Sequence, residues 1–222
     1  MRDLFHFDIE TAGNYPTWDE FELNDQRGAD LFRKKYDNYW IERYDTIEEA
    51  YTSLAPVVST FGRICCISCG YWSGDEKRIR SSTSTTNDEK DILLDFKKTL
   101  EQIEVKNFDL TGFRIRYFDI PFVLHRMHKY DIKPPSILQI YDKKPWEMRV
   151  RDISDDWRQS FARAFSFDEV CYELDLESPK DEINGSEVHN EFWKQTPQSL
   201  ERIKVYCEKD VSSSLDVERK MY

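Results

Sequence analysis

The run Leu4-Phe5-His6-Phe7-Asp8-Ile9-Glu10 alternates side chains with the two-residue period of a β-strand. Phe5, Phe7 and Ile9 fall on one face and Leu4, His6 and Asp8 on the other, so both faces need cover and the segment reads as a central strand. Asp8 and Glu10 are two apart and leave the same face, where the strand ends.

The rest of the chain has the pattern of a mixed sheet with helices around it. Residues 13–56 are polar and aromatic, a helical insertion after the first strand, and Thr46 with Glu49 predicts a capping box before a helix over 48–54. Residues 62–72 are β-rich, Ser73-Gly74-Asp75 is a turn signal, and 76–81 pairs back as a hairpin. Thr86 with Glu89 predicts a second capping box, leading into a helix striped by Ile92, Leu93, Phe96, Leu100 and Ile103. A short strand over 108–112 precedes a helix over 121–130, with Pro121 tolerated in its first turn. Beyond Lys133-Pro134-Pro135 only 148–150 reads as strand. Short helices then flank the loop 179–185, and a long helix runs from 198 to about 222. The fold class is α/β, and a length of 222 suits one domain spanning 1–222.

The chain lacks both a signal-like apolar start and the roughly 18 consecutive apolar residues of a membrane span, which points to a cytoplasmic protein. Five cysteines, three of them in the strand-like run holding Cys65, Cys66 and Cys69, read as buried reduced thiols rather than disulfides or a zinc site. His6 lies on the first strand, His125 and His128 on a helix, and His189 has no evident partner, so neither zinc nor a catalytic triad is indicated. The net charge of −11 argues against nucleic-acid binding by bulk electrostatics, unless bound metal screens the acids and the cations line one cleft.

Three carboxylate positions carry chemical information. Asp8 and Glu10 repel each other on one strand face; a divalent cation removes that repulsion, and oxygen ligands favour Mg²⁺ or Mn²⁺ over zinc, whereas the plainer reading is a solvated strand end. The core stripe of the last helix, Ile203, Tyr206, Cys207, Asp210 and Ser214, places an acid among buried positions, unless the helix is turned so that Asp210 meets water. Asp119, just before Pro121, is most simply a helix cap.

Taken together, the motifs Phe7-Asp8-Ile9-Glu10-Thr11, Gly112 to Phe122 with Phe118-Asp119-Ile120-Pro121, and Tyr206-Cys207-Glu208-Lys209-Asp210 resemble those of the DnaQ-like, or DEDD, 3′-5′ exonucleases. Their fold is similar to ribonuclease H, and Tyr206 four before Asp210 points to the tyrosine subclass. Phe61-Gly62-Arg63-Ile64 and the stretch from Ser178-Pro179-Lys180 to Gly185 resemble predicted exonucleases related to the proofreading domain of family B polymerases.

The resemblance implies that Asp8, Glu10, Asp119 and Asp210 hold two divalent cations, Mg²⁺ or Mn²⁺, with Tyr206 orienting a water. Ile9, Thr11, Arg114, Phe118 and Lys180 would contact substrate, the 3′ end of single-stranded DNA or RNA, with DNA favoured and nucleoside 5′-monophosphates released. Relatives carry His-Asn after the glycine of the second motif, where this chain has Phe113-Arg114; the Asn helps place the terminal nucleotide, so rate and substrate preference are in question. Arg114 would either grip a phosphate or be a surface residue. A non-catalytic nucleic-acid-binding module with the same fold is the alternative reading. No polymerase domain is legible in these residues, so a proofreading or repair role would call for a separate polymerase or repair partner. In the insertion, Arg33, Lys34, Lys35, Tyr36, Tyr39, Trp40, Arg43 and Tyr44 read either as a surface that stacks on unpaired bases or as helix packing.

Overall fold

A computed structural model describes residues 3–160, 163–178 and 183–222. Its five-stranded sheet has the order β3-β2-β1-β4-β5, and the opening strand β1 (Leu4–Gly13) lies at the centre. β1 is antiparallel to β2 (Gly62–Ser73), which forms a hairpin with β3 (Glu76–Thr83) across Gly74, whose φ of 62° suits the tight turn. On its other side β1 is parallel to β4 (Asp109–Gly112), itself parallel to β5 (Val150–Asp152). Parallel strands need crossovers, supplied by α4 (Glu89–Val105) before β4 and α5 (Asp119–Lys129) after it. The fold is α/β, a mixed sheet flanked by helices.

The period-two pattern of β1 fixes what each face meets. Phe5, Phe7 and Ile9 join Ile92, Leu93, Phe96 and Leu100 of α4 and Ile120, Phe122, Val123 and Met127 of α5 in the main core. Ala12, with Cys65 and Cys66 of β2, meets α8 (Val188–Trp193) and the long α9 (Pro197–Met221) on the other side. Each fully buried Phe or Leu contributes about 1.5–3 kcal/mol, so these two layers are a large part of what holds the sheet. The register of β1 on β2 slips between Glu10 and Thr11, which pair with Cys66 and Ile64, and Cys65 is the extra residue of the bulge. The slip lets Ile64 and Ile67, three apart, both reach the α4/α5 core. All five cysteines are free and buried, as the sequence indicates.

Between β1 and β2 come α1 (Trp18–Asn24), α2 (Gln26–Lys35), a π-helical turn over Tyr36–Trp40 and α3 (Ile47–Leu54), capped by Thr46 as expected. Trp18, Phe21, Phe32, Tyr51 and Phe61 form the interior of this segment, with Tyr36, Trp40 and Tyr44 packed against it. Of the aromatics considered for base stacking, only Tyr39, 75% exposed, is not absorbed into that packing.

The second capping box is a correction. Asp88 precedes α4, and Glu89 faces inward, 1% exposed, where it meets Arg126 of α5. It also accepts hydrogen bonds from the Ile64 N–H at 2.8 Å and the Tyr130 hydroxyl at 2.8 Å. A buried guanidinium outcompetes a cap because an unpaired internal charge is far more expensive than an uncapped N–H. The last strand also falls slightly later than expected, at Val150–Asp152. Short helices α6 (Ile153–Arg158) and α7 (Phe167–Glu173) close the far edge with Val217 of α9. No helix among the described residues is long and apolar enough to cross a membrane.

Candidate active site

Two residues of strand advance about 6.6 Å and four residues of helix about 6 Å, so a strand followed by twos keeps pace with a helix followed by fours. α9 uses this against β1. His6 shares hydrogen bonds with Ser214 at 2.7 Å and Glu218 at 2.8 Å, while the Asp8 carboxylate lies 3.5 Å from the Cys207 thiol. Burial holds His6 below its ordinary pKa despite Glu218, so the neutral ring donates from Nε2 to the carboxylate and accepts from the serine at Nδ1. This clasp sets the register that brings Asp210, one turn before Ser214, over Asp8. Ile203, Cys207, Val211 and Ser214 are the buried side of α9, whereas Tyr206 and Asp210 are half-buried at its edge, so the helix is turned slightly from the expected stripe.

Asp119 arrives from the other side. β4 pairs with β1 only as far as His6–Thr111, so the next β1 amides facing it lack a sheet partner. The Asp119 carboxylate accepts from one of them, the Ile9 N–H, at 3.1 Å. The chain turns toward that position at Gly112, where a Cβ would lie 2.4 Å from the Ile115 side chain and 2.7 Å from the Phe7 carbonyl. Two residues on, Arg114 has φ 61°, in the left-handed region where Gly and Asn are at ease and a long side chain is strained. The buried Asp152 fixes this loop, accepting from the Arg114 N–H at 2.9 Å and the Arg116 N–H at 3.0 Å while capping α6 through Ser154.

Asp8, Ile9, Glu10, Arg114, Phe118, Asp119, Tyr206 and Asp210 thus line one cleft of about 500 Å³, together with Val57, Phe113 and Tyr117. Thr11, 7% exposed, is buried beside the bulge and outside that lining, and Lys180 lies outside the described residues. Ligand atoms of Asp8, Glu10 and Cys207 all lie within 4.8 Å of one another, close enough to share a cation. Burial, then Asp210, Asp119 and Glu10, push the Asp8 carboxyl well above its ordinary range, with the Cys207 thiol opposing. Burial, Asp210, Cys66 and Asp119 do the same to Glu10. Asp119 is pushed up to about 7, chiefly by burial, against the hydrogen bond from Ile9 and with Asp152 and Asp210 adding to the rise. Such a cluster of confined carboxylates fits a hard divalent cation, which relieves the repulsion and supplies the missing solvation. The Tyr206 phenol is pushed up by burial and by Asp210, Glu10 and Asp8, so it remains a hydrogen-bond donor.

Sequence reasoning missed several of these groups. Asp152 was legible only as Asp-x-Ser before a short helix, a cap pattern that carries no hint of the distant loop it holds. Tyr117 and Val57 carried no signal. His189, without a partner in the sequence, accepts from the Gly13 N–H at 3.0 Å and bonds the Pro16 carbonyl at 3.0 Å, a purely structural use.

Residues 56–215 match the model of a family described as predicted 3′-5′ exonuclease related to the exonuclease domain of PolB. A search of curated proteins gave no match. Among solved structures, the chain is similar to the family B DNA polymerase from the hyperthermophilic archaeon Pyrobaculum calidifontis, with a TM-score of 0.61 and 14% identity. That likeness covers 99% of this chain and 24% of the polymerase, so the chain spans about a quarter of its length. At this identity it shows the fold, similar to a polymerase exonuclease domain of the ribonuclease H-like type.

Proposed function

Because the chain belongs to the family of predicted 3′-5′ exonucleases related to the exonuclease domain of PolB, we propose that it removes nucleotides from single-stranded 3′ ends by phosphodiester hydrolysis. DNA is favoured over RNA, in keeping with the polymerase relation, and the products are nucleoside 5′-monophosphates. We take residues 1–222, insertion included, as one nuclease domain. The observation that carries the reading is that carboxylates from three distant segments, Asp8 and Glu10, Asp119, and Asp210, line one cleft with Tyr206.

In this reading Asp8, Glu10, Asp119 and Asp210 hold two divalent cations, Mg²⁺ or Mn²⁺, which when bound supply charge neutralisation at the phosphate and acidify a water. The chain's own residues do the positioning. Tyr206, its hydroxyl kept protonated, hydrogen-bonds the attacking water from one wall of the cleft. Arg114, exposed on the opposite loop, pairs with a phosphate oxygen; Phe118 and Ile9 flank the terminal nucleotide. The Ile9 N–H holds one oxygen of Asp119 and so orients the carboxylate that would ligate a cation.

The test is degradation of 5′-labelled single-stranded DNA and RNA in Mg²⁺ and in Mn²⁺, beside Asp8→Ala and Asp210→Ala. A ladder shortening from the 3′ end, abolished by chelator and by either substitution, is expected. Strands that bind but stay intact in both metals would overturn the catalytic reading in favour of a binding module.

A further inference from the structure

Tyr117 is 58% exposed, yet it is fastened from behind. Its hydroxyl donates to the Asp155 carboxylate, 3.0 Å from each oxygen, and Asp155 is itself paired with Arg116 at 3.0 Å. The Arg116 guanidinium lies 5.9 Å from the centre of the Tyr117 ring. Its backbone is held as well: the Tyr117 N–H donates to the Arg114 carbonyl at 2.9 Å, and Asp152 clamps the amides of Arg114 and Arg116 in the turn just before it. An aromatic ring kept outside the core and denied its freedom adds little to the fold. Its place is informative, because the ring borders the cleft that holds the acidic cluster, two residues before Asp119. The exposed rings of Tyr141, Trp146 and Tyr172 do not line that cleft.

We propose that Tyr117, held by Asp155 and Arg116, is a stacking platform for the unpaired base at the 3′ terminus, with Arg114 on the same loop reaching the adjoining phosphate. The inference rests on the nuclease reading and deepens it. Stacking uses the π-face that every base has, so the platform tolerates any sequence and is indifferent to the sugar. A fixed ring also loses little conformational entropy when a base settles on it, which is why anchoring from behind suits this task.

The test combines binding and turnover. A single strand with 2-aminopurine at its 3′ terminus is added in Ca²⁺, which supports binding without cleavage, and its fluorescence is followed with wild type, Tyr117→Phe and Tyr117→Ala. Quenching is expected with wild type and Tyr117→Phe and is lost in Tyr117→Ala at equal occupancy, measured by anisotropy of a 5′ label. In Mg²⁺, Tyr117→Ala raises KM for an ordinary strand about tenfold, as loss of one base–aromatic stack predicts. The same substitution leaves KM unchanged for a strand ending in an abasic residue, which a merely structural defect would not spare. Equal quenching by wild type and Tyr117→Ala, or a KM rise of the same size on both substrates, overturns the platform while leaving the nuclease reading intact. Quenching by wild type without turnover in Mg²⁺ or Mn²⁺ keeps the platform and overturns the nuclease; absence of both binding and turnover overturns both.

Discussion

Glu89→Gln changes one atom in the interior and should be among the most damaging single substitutions in this chain. Glu89 and Arg126 are 1% and 2% exposed. One carboxylate oxygen accepts from the Ile64 N–H at 2.8 Å and the Arg126 Nε at 2.8 Å; the other accepts from Arg126 Nη2 at 2.6 Å and the Tyr130 hydroxyl at 2.8 Å. Glutamine keeps one acceptor and turns the second into a donor that faces two donors, stranding a buried guanidinium. Breaking one side of such a pair costs about 3–5 kcal/mol. For a domain of this size that is a fall in Tm of roughly 6–20 °C, at about 2–4 °C per kcal/mol. The assay is thermal and urea unfolding of wild type, Glu89→Gln and the double variant Glu89→Leu/Arg126→Met. The apolar pair removes both charges and should recover most of the loss, since buried ion pairs are weak in net terms but costly to break. A loss below about 1 kcal/mol for Glu89→Gln, or a double variant less stable than the single one, would refute the reasoning. The pair also bears on the site, because Arg126 lies two turns after Asp119 on α5, so a loosened α5 should lower turnover. Burial raises the Glu89 pKa, but Arg126, the Ile64 amide and Tyr130 together lower it further, to a net value below that of an ordinary glutamate. Its contribution is therefore present above the unfolded-state value and is lost as pH falls through the folded one.

The cleft carboxylates have the opposite sign. Asp8, Glu10 and Asp119 have raised values, Asp119 about 7, so in the absence of divalent cation their stabilising contribution is intact below the unfolded-state values and is lost as pH rises through the folded ones. Mg²⁺ should accordingly raise Tm more at pH 8 than at pH 5.5, and Asp119→Asn should be the more stable protein at pH 8 without metal; equal Mg²⁺ shifts at the two pH values would contradict this. Arg114→Asn, at φ 61°, should gain about 0.5–1 kcal/mol in urea unfolding by relieving the left-handed strain while raising KM for single strands through loss of a phosphate contact; unchanged stability and KM would count against both arguments.

Local pattern was enough wherever the physics is local. The period of two in β1, the helical stripe of α4, Thr46 as a cap and the Gly74 turn all read correctly, because each is fixed by backbone geometry and the side chains within one turn or pleat. Asp8 and Glu10 shared a face for the same reason. Glu89 read wrongly because its local option, a cap, lost to a partner 37 residues away. The aromatics of residues 36–44 offered two readings, and only the arrival of Phe21, Phe32 and Tyr51 from neighbouring helices decided that Tyr36, Trp40 and Tyr44 pack inward.

The sequence by itself determined the fold class and the central strand, and it picked out the acids that the fold gathers in one cleft, through periodicity and through motifs whose order survives in the linear chain. Only the tertiary structure decided that Asp119 sits on the Ile9 amide where β4 stops short, that His6 locks α9 in the register placing Asp210 over Asp8, and that Asp152 and Asp155 hold the loop bearing Arg114 and Tyr117. Each of those decisions joins a donor to an acceptor far along the chain, and a sequence states which groups need partners without stating which partners folding will bring within 3 Å.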